Sequence, residues 1–304
     1  MASKHPVATT SLDPAVLDKL SKLSLVARSV VEGFMAGAHR SPLKGASVEF
    51  AQHREYVPGD DPRFIDERIF AKTGRLVVKE FVEETNFSCH VAVDTSASMG
   101  FGSVAWTKLD YARWCAAALA YLVLKKRDWV GLVTFDTKAR RELPPGGGAP
   151  QTLSIFRELE ALAPRADTNV GALMVGLADR LRRRGIVVVI SDFFDDPETI
   201  LDGARRLHIA GHEPILVQVL DPQEISFELD GHLRLDPLES GDAVKVDARS
   251  IRQAYVEEFG RHQDALTTGC RAIGADFVSM TTTTGLDVAL SAYLTRRMAR
   301  RRHH

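Results

Sequence analysis

Four short runs in this chain, CHVAVD (89–94), WVGLVTFD (129–136), GIVVVISD (185–192) and EPILVQVLD (213–221), are apolar throughout instead of alternating. A strand with one wet face alternates apolar and polar side chains. A run without alternation is buried on both faces, as in a parallel sheet covered by helices. Helical patterns fall between the runs, at 108–126, about 150–162, 169–184 and 197–210. A helix over 248–271, the strand ADFVSM and a helix over 285–300 complete the series. Strand and helix in alternation predict an α/β fold, a doubly wound, mostly parallel sheet flanked by helices and Rossmann-like in plan. KARRELPP (138–145) is predicted as an antiparallel hairpin edge and PPGGGAP (144–150) as a loop.

Two segments depart from this rhythm. Residues 1–84 are predicted as a smaller N-terminal α+β subdomain: a helix over 13–38, then short strands near 47–50 and 75–82. PGDD and KTGR read as turns there. The larger domain is predicted to span 85–304, interrupted at about 224–247 by an alternating stretch, FELDGHLRLDPLESGDAVKVD, read as an exposed antiparallel excursion.

The chain's 304 residues are 45% hydrophobic, ample for a sizeable core. Thirty-nine Lys and Arg against 40 Asp and Glu leave a formal charge of −1, which gives no field for nucleic acid or an anionic membrane. The basic C-terminal RRMARRRHH reads as a solvated helix end. Cys89, Cys115 and Cys270 form no CxxC pair, so neither a disulfide framework nor a zinc site is expected. The N-terminal residues lack the apolar core of a signal peptide, and the longest apolar stretch, Trp114 to Leu124, is about half of the ~20 residues a membrane span needs. A cytoplasmic protein without a membrane span is the expectation.

DTSAS (94–98) closes the first apolar run with one carboxylate and two hydroxyls. Ligands of doubly wound sheets gather outside the carboxyl ends of the strands, so the position favours function over a plain helix cap. A phosphatase nucleophile would need a second acid two residues on, and Ser96 stands there. A serine hydrolase built on Ser98 would need the GxSxG elbow, whose first glycine is Ser96 here, and a histidine in a distinctive context. A hard divalent cation needs about six oxygens at ~2.0–2.1 Å, so other strand-end loops must add to half a shell. ADTNVGA offers Thr168 just before a helix, and GIVVVISD ends in Asp192. Asp94, Ser96, Ser98, Thr168 and Asp192 are therefore the candidate metal ligands, with Asp195 and Asp196 read as turn acids or a helix cap. Mg²⁺ is the first expectation for the ion, with Mn²⁺ or Ca²⁺ as alternatives.

DxSxS, then Thr, then Asp at the ends of parallel strands resembles the metal-ion-dependent adhesion site of von Willebrand factor A domains. Asp94, Ser96, Ser98, Thr168 and Asp192 fall on its five positions in order. The resemblance implies an open metal position that an acidic side chain of a protein partner fills. REYVPGDDPRFIDE, then AKTGRLVVKEF and the DxSxS strand, is similar to the bacterial family called domain of unknown function 58. That family's segment typically runs R-x-Y-x-P-G-D-D-x-R-x-I-D-W, and Glu67 stands here in place of the tryptophan. DPLESGDAVKVDARSIRQAY extends the likeness, which covers about residues 40–300. It implies an adaptor or substrate-binding partner of a MoxR-type AAA+ ATPase, with no established enzymatic activity. The chain contains no phosphate-binding GxxxxGK[ST] loop, so ATP-driven work falls to another protein. A hydrolase using the metal or Ser98 as nucleophile is the alternative. Arg54, Glu55, Asp60, Asp61, Arg63, Asp66, Glu67 and Arg68 around PGDD are read as Arg–carboxylate pairs holding a turn, or as a second partner surface.

Overall fold

In the computed structural model, residues 23–37, 50–57, 65–81, 88–165, 167–229, 232–235, 244–290 and 292 are described. The chain divides into two compact units, residues 1–39 with 88–304, and residues 40–87.

The smaller unit holds an antiparallel pair, β1 (Phe50–Glu55) and β2 (Val77–Phe81), in the register Glu55 to Val77. Between them runs the short helix α2 (Glu67–Thr73). Asp66 starts it by accepting the backbone N–H groups of Arg68 at 3.0 Å and Ile69 at 3.2 Å, and Gly74 ends it at φ +69°, a conformation open chiefly to glycine. The turn predicted at KTGR is this helix end. Residues 58–64, the centre of the PGDD segment, lie outside the described residues.

The first described element of the larger unit is α1 (Leu23–Gly37), whose Leu23, Val26, Ala27, Val30 and Val31 recur at helical spacing and are buried. These side chains join the core layer that contains Trp114 and Cys115, so α1 packs with the sheet unit. The sequence reading had grouped this helix with the strands up to residue 84; periodicity shows an amphipathic helix but not which core its stripe enters.

Six strands form the sheet: β3 (Ser88–Asp94), β4 (Trp129–Phe135), β5 (Ala139–Gly146), β6 (Gly185–Ser191), β7 (Glu213–Leu220) and, after the last long helix, β10 (Asp276–Thr281). Their order is β10-β7-β6-β3-β4-β5, parallel except for β5, which runs antiparallel to β4 at the edge. Pro144 and Pro145 sit in that edge strand, where a missing N–H is tolerated. Both faces are covered. On one lies α3 (Lys108–Lys125), opened by a Thr107–Asp110 capping box and buried along most of its length, together with α1 and α4 (Gly148–Glu160). On the other lie α5 (Val170–Arg180), α6 (Pro197–Ile209) and α8 (Ala248–Ile273). Successive β3 residues divide between the layers, Val91 and Val93 in the first and Ala92 in the second. The predicted doubly wound, mostly parallel α/β architecture is the observed one.

The excursion contains α7 (Pro222–Ser226) and an antiparallel pair, β8 (His232–Leu235) with β9 (Val244–Asp247). The C-terminal helix is described only over 286–290 and residue 292, so RRMARRRHH lies outside the described residues. All three cysteines are buried, and none is in a disulfide. Among the described residues no helix is long and apolar enough to cross a membrane.

The chain leaves β3 toward β4 and β5 on one side and returns to β6, β7 and β10 on the other. The winding therefore reverses at β3 and β6, and a crevice opens beyond their carboxyl ends.

Candidate functional site

Every residue of β3 is buried, and the strand ends on Asp94 with its side chain inside the crevice. Asp94 Oδ1 accepts the backbone N–H of Ser96 at 2.8 Å. Its Oδ2 accepts two hydroxyls, Thr168 Oγ1 at 3.0 Å and Ser191 Oγ at 2.7 Å. The turn after the strand tightens into a 3-10 helix (Ala97–Gly100), which brings Ser96 Oγ and Ser98 Oγ to 3.1 Å. Thr95 points away, its hydroxyl donating to the Phe135 carbonyl at 2.7 Å.

Thr168 is not the cap of α5. Asn169 is, accepting the Ala172 N–H at 2.9 Å, which leaves the Thr168 hydroxyl to reach Asp94. Asp195 anchors the same loop by accepting the Val170 N–H at 3.0 Å, and Asp196 caps α6. Both acids therefore have structural partners, in keeping with the cap and turn reading of the sequence.

Asp192 follows β6 and is fully buried. Its Oδ2 accepts Lys108 Nζ at 2.7 Å, while Oδ1 is buried with no hydrogen-bond partner. Lys108 itself has no exposed surface. Its ammonium also donates to Glu224 Oε1 at 2.5 Å and lies 5.1 Å from the Phe194 ring centre. Glu224 Oε2 in turn accepts the Asp221 N–H, and Asp221 grips Ser103 through its N–H and hydroxyl. A chain of hydrogen bonds thus runs from Asp192 to the 101–107 loop. Among the described residues no three His, Cys, Asp or Glu side chains gather into a metal cage. The gathering here is of two carboxylates with hydroxyls.

The family model described as "Protein of unknown function DUF58" matches residues 52–265. The chain belongs to this family. An uncharacterized protein of Mycobacterium tuberculosis (strain ATCC 25618 / H37Rv) is 29% identical over 278 residues, 89% of this chain and 86% of that protein. An uncharacterized protein of Mycobacterium bovis gives the same figures. Among solved structures, BatB from Bacteroides thetaiotaomicron is similar with a TM-score of 0.46 at 17% identity, covering 69% of this chain and 98% of that one. The SpRpn10 VWA domain is similar with a TM-score of 0.39 at 13% identity, covering 68% and 94%.

In this DUF58 protein the electrostatics of the crevice follow from burial. Desolvation first, and the nearby charge of Asp192 second, push the Asp94 carboxyl up to about 7, against hydrogen bonds from Ser191 and Ser96 that favour its charged form. Burial alone would lower the Lys108 pKa. Asp192 and Glu224 outweigh it, and the ammonium is held above its ordinary range. Burial likewise raises Glu224, with Lys108 opposing.

The residues present fit a hard cation. Two carboxylates are buried near each other, the charge of Asp192 opposing ionisation of Asp94; one Asp192 oxygen has no hydrogen-bond partner, and Ser96, Ser98 and Thr168 add neutral oxygens. Sequence reasoning missed Lys108, Ser191 and Glu224. No histidine stands in a context distinctive enough to mark a hydrolase from sequence. His262 of α8 nevertheless reaches this edge, where its Nε2 meets the Phe193 carbonyl at 2.8 Å.

Proposed function

We propose that this DUF58 protein is a metal-dependent protein-binding module. Asp94, Ser96, Ser98, Thr168 and Asp192 would hold a divalent cation, Mg²⁺ or Mn²⁺, as a metal-ion-dependent adhesion site, and a partner's Asp or Glu would complete the ion's shell. One observation carries the reading: groups from three separate loops converge on Asp94 at the sheet's switch point, and one oxygen of the nearby buried Asp192 has no hydrogen-bond partner. The bound cation supplies an electropositive centre. The chain's own part is to keep that centre under-neutralised, because only two carboxylates serve it and Lys108 already engages one oxygen of Asp192.

The family resemblance supports a MoxR-type AAA+ ATPase, or a substrate of one, as the partner. The formal charge of −1 favours a protein over nucleic acid. The hydrolase alternative is the weaker reading: the Ser98 hydroxyl meets Ser96, and His262 is bound to a carbonyl rather than to a hydroxyl.

Melting curves test the site. After chelation, titrating Mg²⁺ or Mn²⁺ should stabilise the wild type by about 2.7 kcal/mol once the ion reaches 100 times its dissociation constant. Asp94→Asn and Asp94→Ala should remain folded and lose that stabilisation. Equal metal response in wild type and both variants would sink the proposal. A MoxR-type ATPase retained despite chelation would sink the metal dependence of the contact, and no retention in Mg²⁺ or Mn²⁺ would sink the partner assignment.

A further inference from the structure

Beside the metal loop lies a cavity of about 300 Å³ that the reading above does not use. Thr95, Thr134 of β4, Arg140 and Arg141 of β5, Glu158 of α4 and Arg165 line it. The three guanidinium groups are not equally committed. Arg140 is held by the buried Asp136 at 2.5 Å. Arg141 comes only within 3.5 Å of Glu158 and keeps 73% of its side chain exposed. Arg165 is exposed, and its guanidinium has no ion-pair or hydrogen-bond partner among the described residues. Counting Asp136 beneath the lining, three positive charges face two negative ones, a balance of +1.

Arg165 is also fixed in place. Its backbone N–H donates to the Thr95 carbonyl at 2.7 Å, and its backbone bridges to Ser96. The basic cavity is therefore pinned to the loop that carries Asp94, Ser96 and Ser98. Planar guanidiniums with free donors match carboxylates in paired hydrogen bonds. Ala161, Leu162 and Ala163, which also line the cavity, follow the C-terminus of α4 at Glu160, where a helix dipole places partial negative charge. That pole disfavours a dianionic phosphate more than a singly charged carboxylate.

We propose that this cavity is a second subsite for an acidic segment of the protein partner. One carboxylate of the segment goes to the metal edge, and another, a few residues along the same extended strand at about 3.3–3.6 Å per residue, is clamped by Arg141 and Arg165. The subsite deepens the adhesion reading and rests on it for the first carboxylate.

Fluorescence anisotropy with dye-labelled, C-terminally amidated tetraglutamate tests the subsite, with an amidated Gly-Gly-Glu-Gly peptide as the single-carboxylate control. In Mn²⁺ the wild type should bind tetraglutamate at least tenfold tighter than the double variant Arg141→Glu/Arg165→Glu. The single-carboxylate peptide should bind both proteins alike. Both arginines are exposed, so the double variant should keep the wild-type melting temperature and its full response to Mn²⁺. Equal tetraglutamate binding by the two proteins would overturn the subsite, as would no binding by the wild type. Inorganic phosphate displacing the peptide at equal concentration would overturn the carboxylate assignment. Binding that the arginine reversal removes, but that chelation and Asp94→Asn leave unchanged, would uphold the subsite and defeat the metal reading instead.

Discussion

Lys108 is an ammonium shut away from water, and its two carboxylate partners lie 84 and 116 residues further along the chain. Breaking a buried ion pair by removing one partner strands the others, at a cost of about 3–5 kcal/mol. Lys108→Met should therefore lower the urea-unfolding free energy by about that amount. The double variant Lys108→Met/Glu224→Gln should regain part of it; an unaffected single variant would show that the triad does not hold the loops. His90 argues about pH. Burial first, and the charge of His212 second, lower its folded pKa to about 4 from an ordinary 6.5. The unfolded chain takes up the proton first, so stability is full above about pH 6.5 and is lost as pH falls toward about 4. At most this group contributes about 1.4 kcal/mol per pH unit. Urea midpoints measured from pH 7.5 to 4.5 should fall more steeply for wild type than for His90→Gln, and parallel curves would contradict the assignment. At this scale the sequence revealed what strand ends reveal: Asp94, Ser96, Ser98, Thr168 and Asp192 were legible because apolar runs locate the carboxyl edge. Lys108, Ser191 and Glu224 were not, because pairing across more than eighty residues leaves no local pattern.

Helices α5 and α6 decide where Thr168 sits. They cross backbone against backbone: a Cβ on Gly171 would stand 2.6 Å from the Thr199 carbonyl oxygen, and one on Gly203 would stand 2.8 Å from the Gly171 oxygen. No side chain fits there without parting the helices. Gly171→Ala should cost about 1–3 kcal/mol in urea unfolding and also weaken the Mn²⁺ response, because Thr168 is three residues upstream. Gly176→Ala, on the same helix with nothing within 4 Å of the added carbon, is the control and should be neutral or slightly stabilising. Equal behaviour of the two variants would refute the close-crossing argument. The elements themselves were legible, since burial on both faces writes itself as runs without alternation. Boundaries were less so. Helix α5 was expected to reach 184 and ends at Arg180, because Leu181 turns extended so that the chain can enter β6 at Gly185. Arginines 182–184 carry no signal against helix; the geometry of the connection stops it.

The sheet's topology places the proposed metal edge and the arginine-lined cavity on one loop. Because the strand order reverses between β3 and β6, the loop after β3 meets the loops of Thr168 and Asp192 on one side. Arg165 is tied to the same turn on the other. On the proposed reading, cation and acidic segment then bind one body, and their affinities are thermodynamically linked. If Mn²⁺ tightens tetraglutamate by some factor, tetraglutamate must tighten Mn²⁺ by the same factor, and couplings of this kind typically lie between about 5- and 150-fold. Calorimetry closes the cycle: Mn²⁺ titrated into protein with and without saturating peptide, and peptide titrated with and without Mn²⁺. Arginine reversal should weaken the peptide yet leave Mn²⁺ affinity in its absence unchanged. Asp94→Asn should erase the coupling and leave the arginine-dependent fraction of peptide binding. A coupling factor of one in the wild type would mean that the two ligands ignore each other, and the adhesion reading, in which the partner's carboxylate completes the ion's shell, would fall with it.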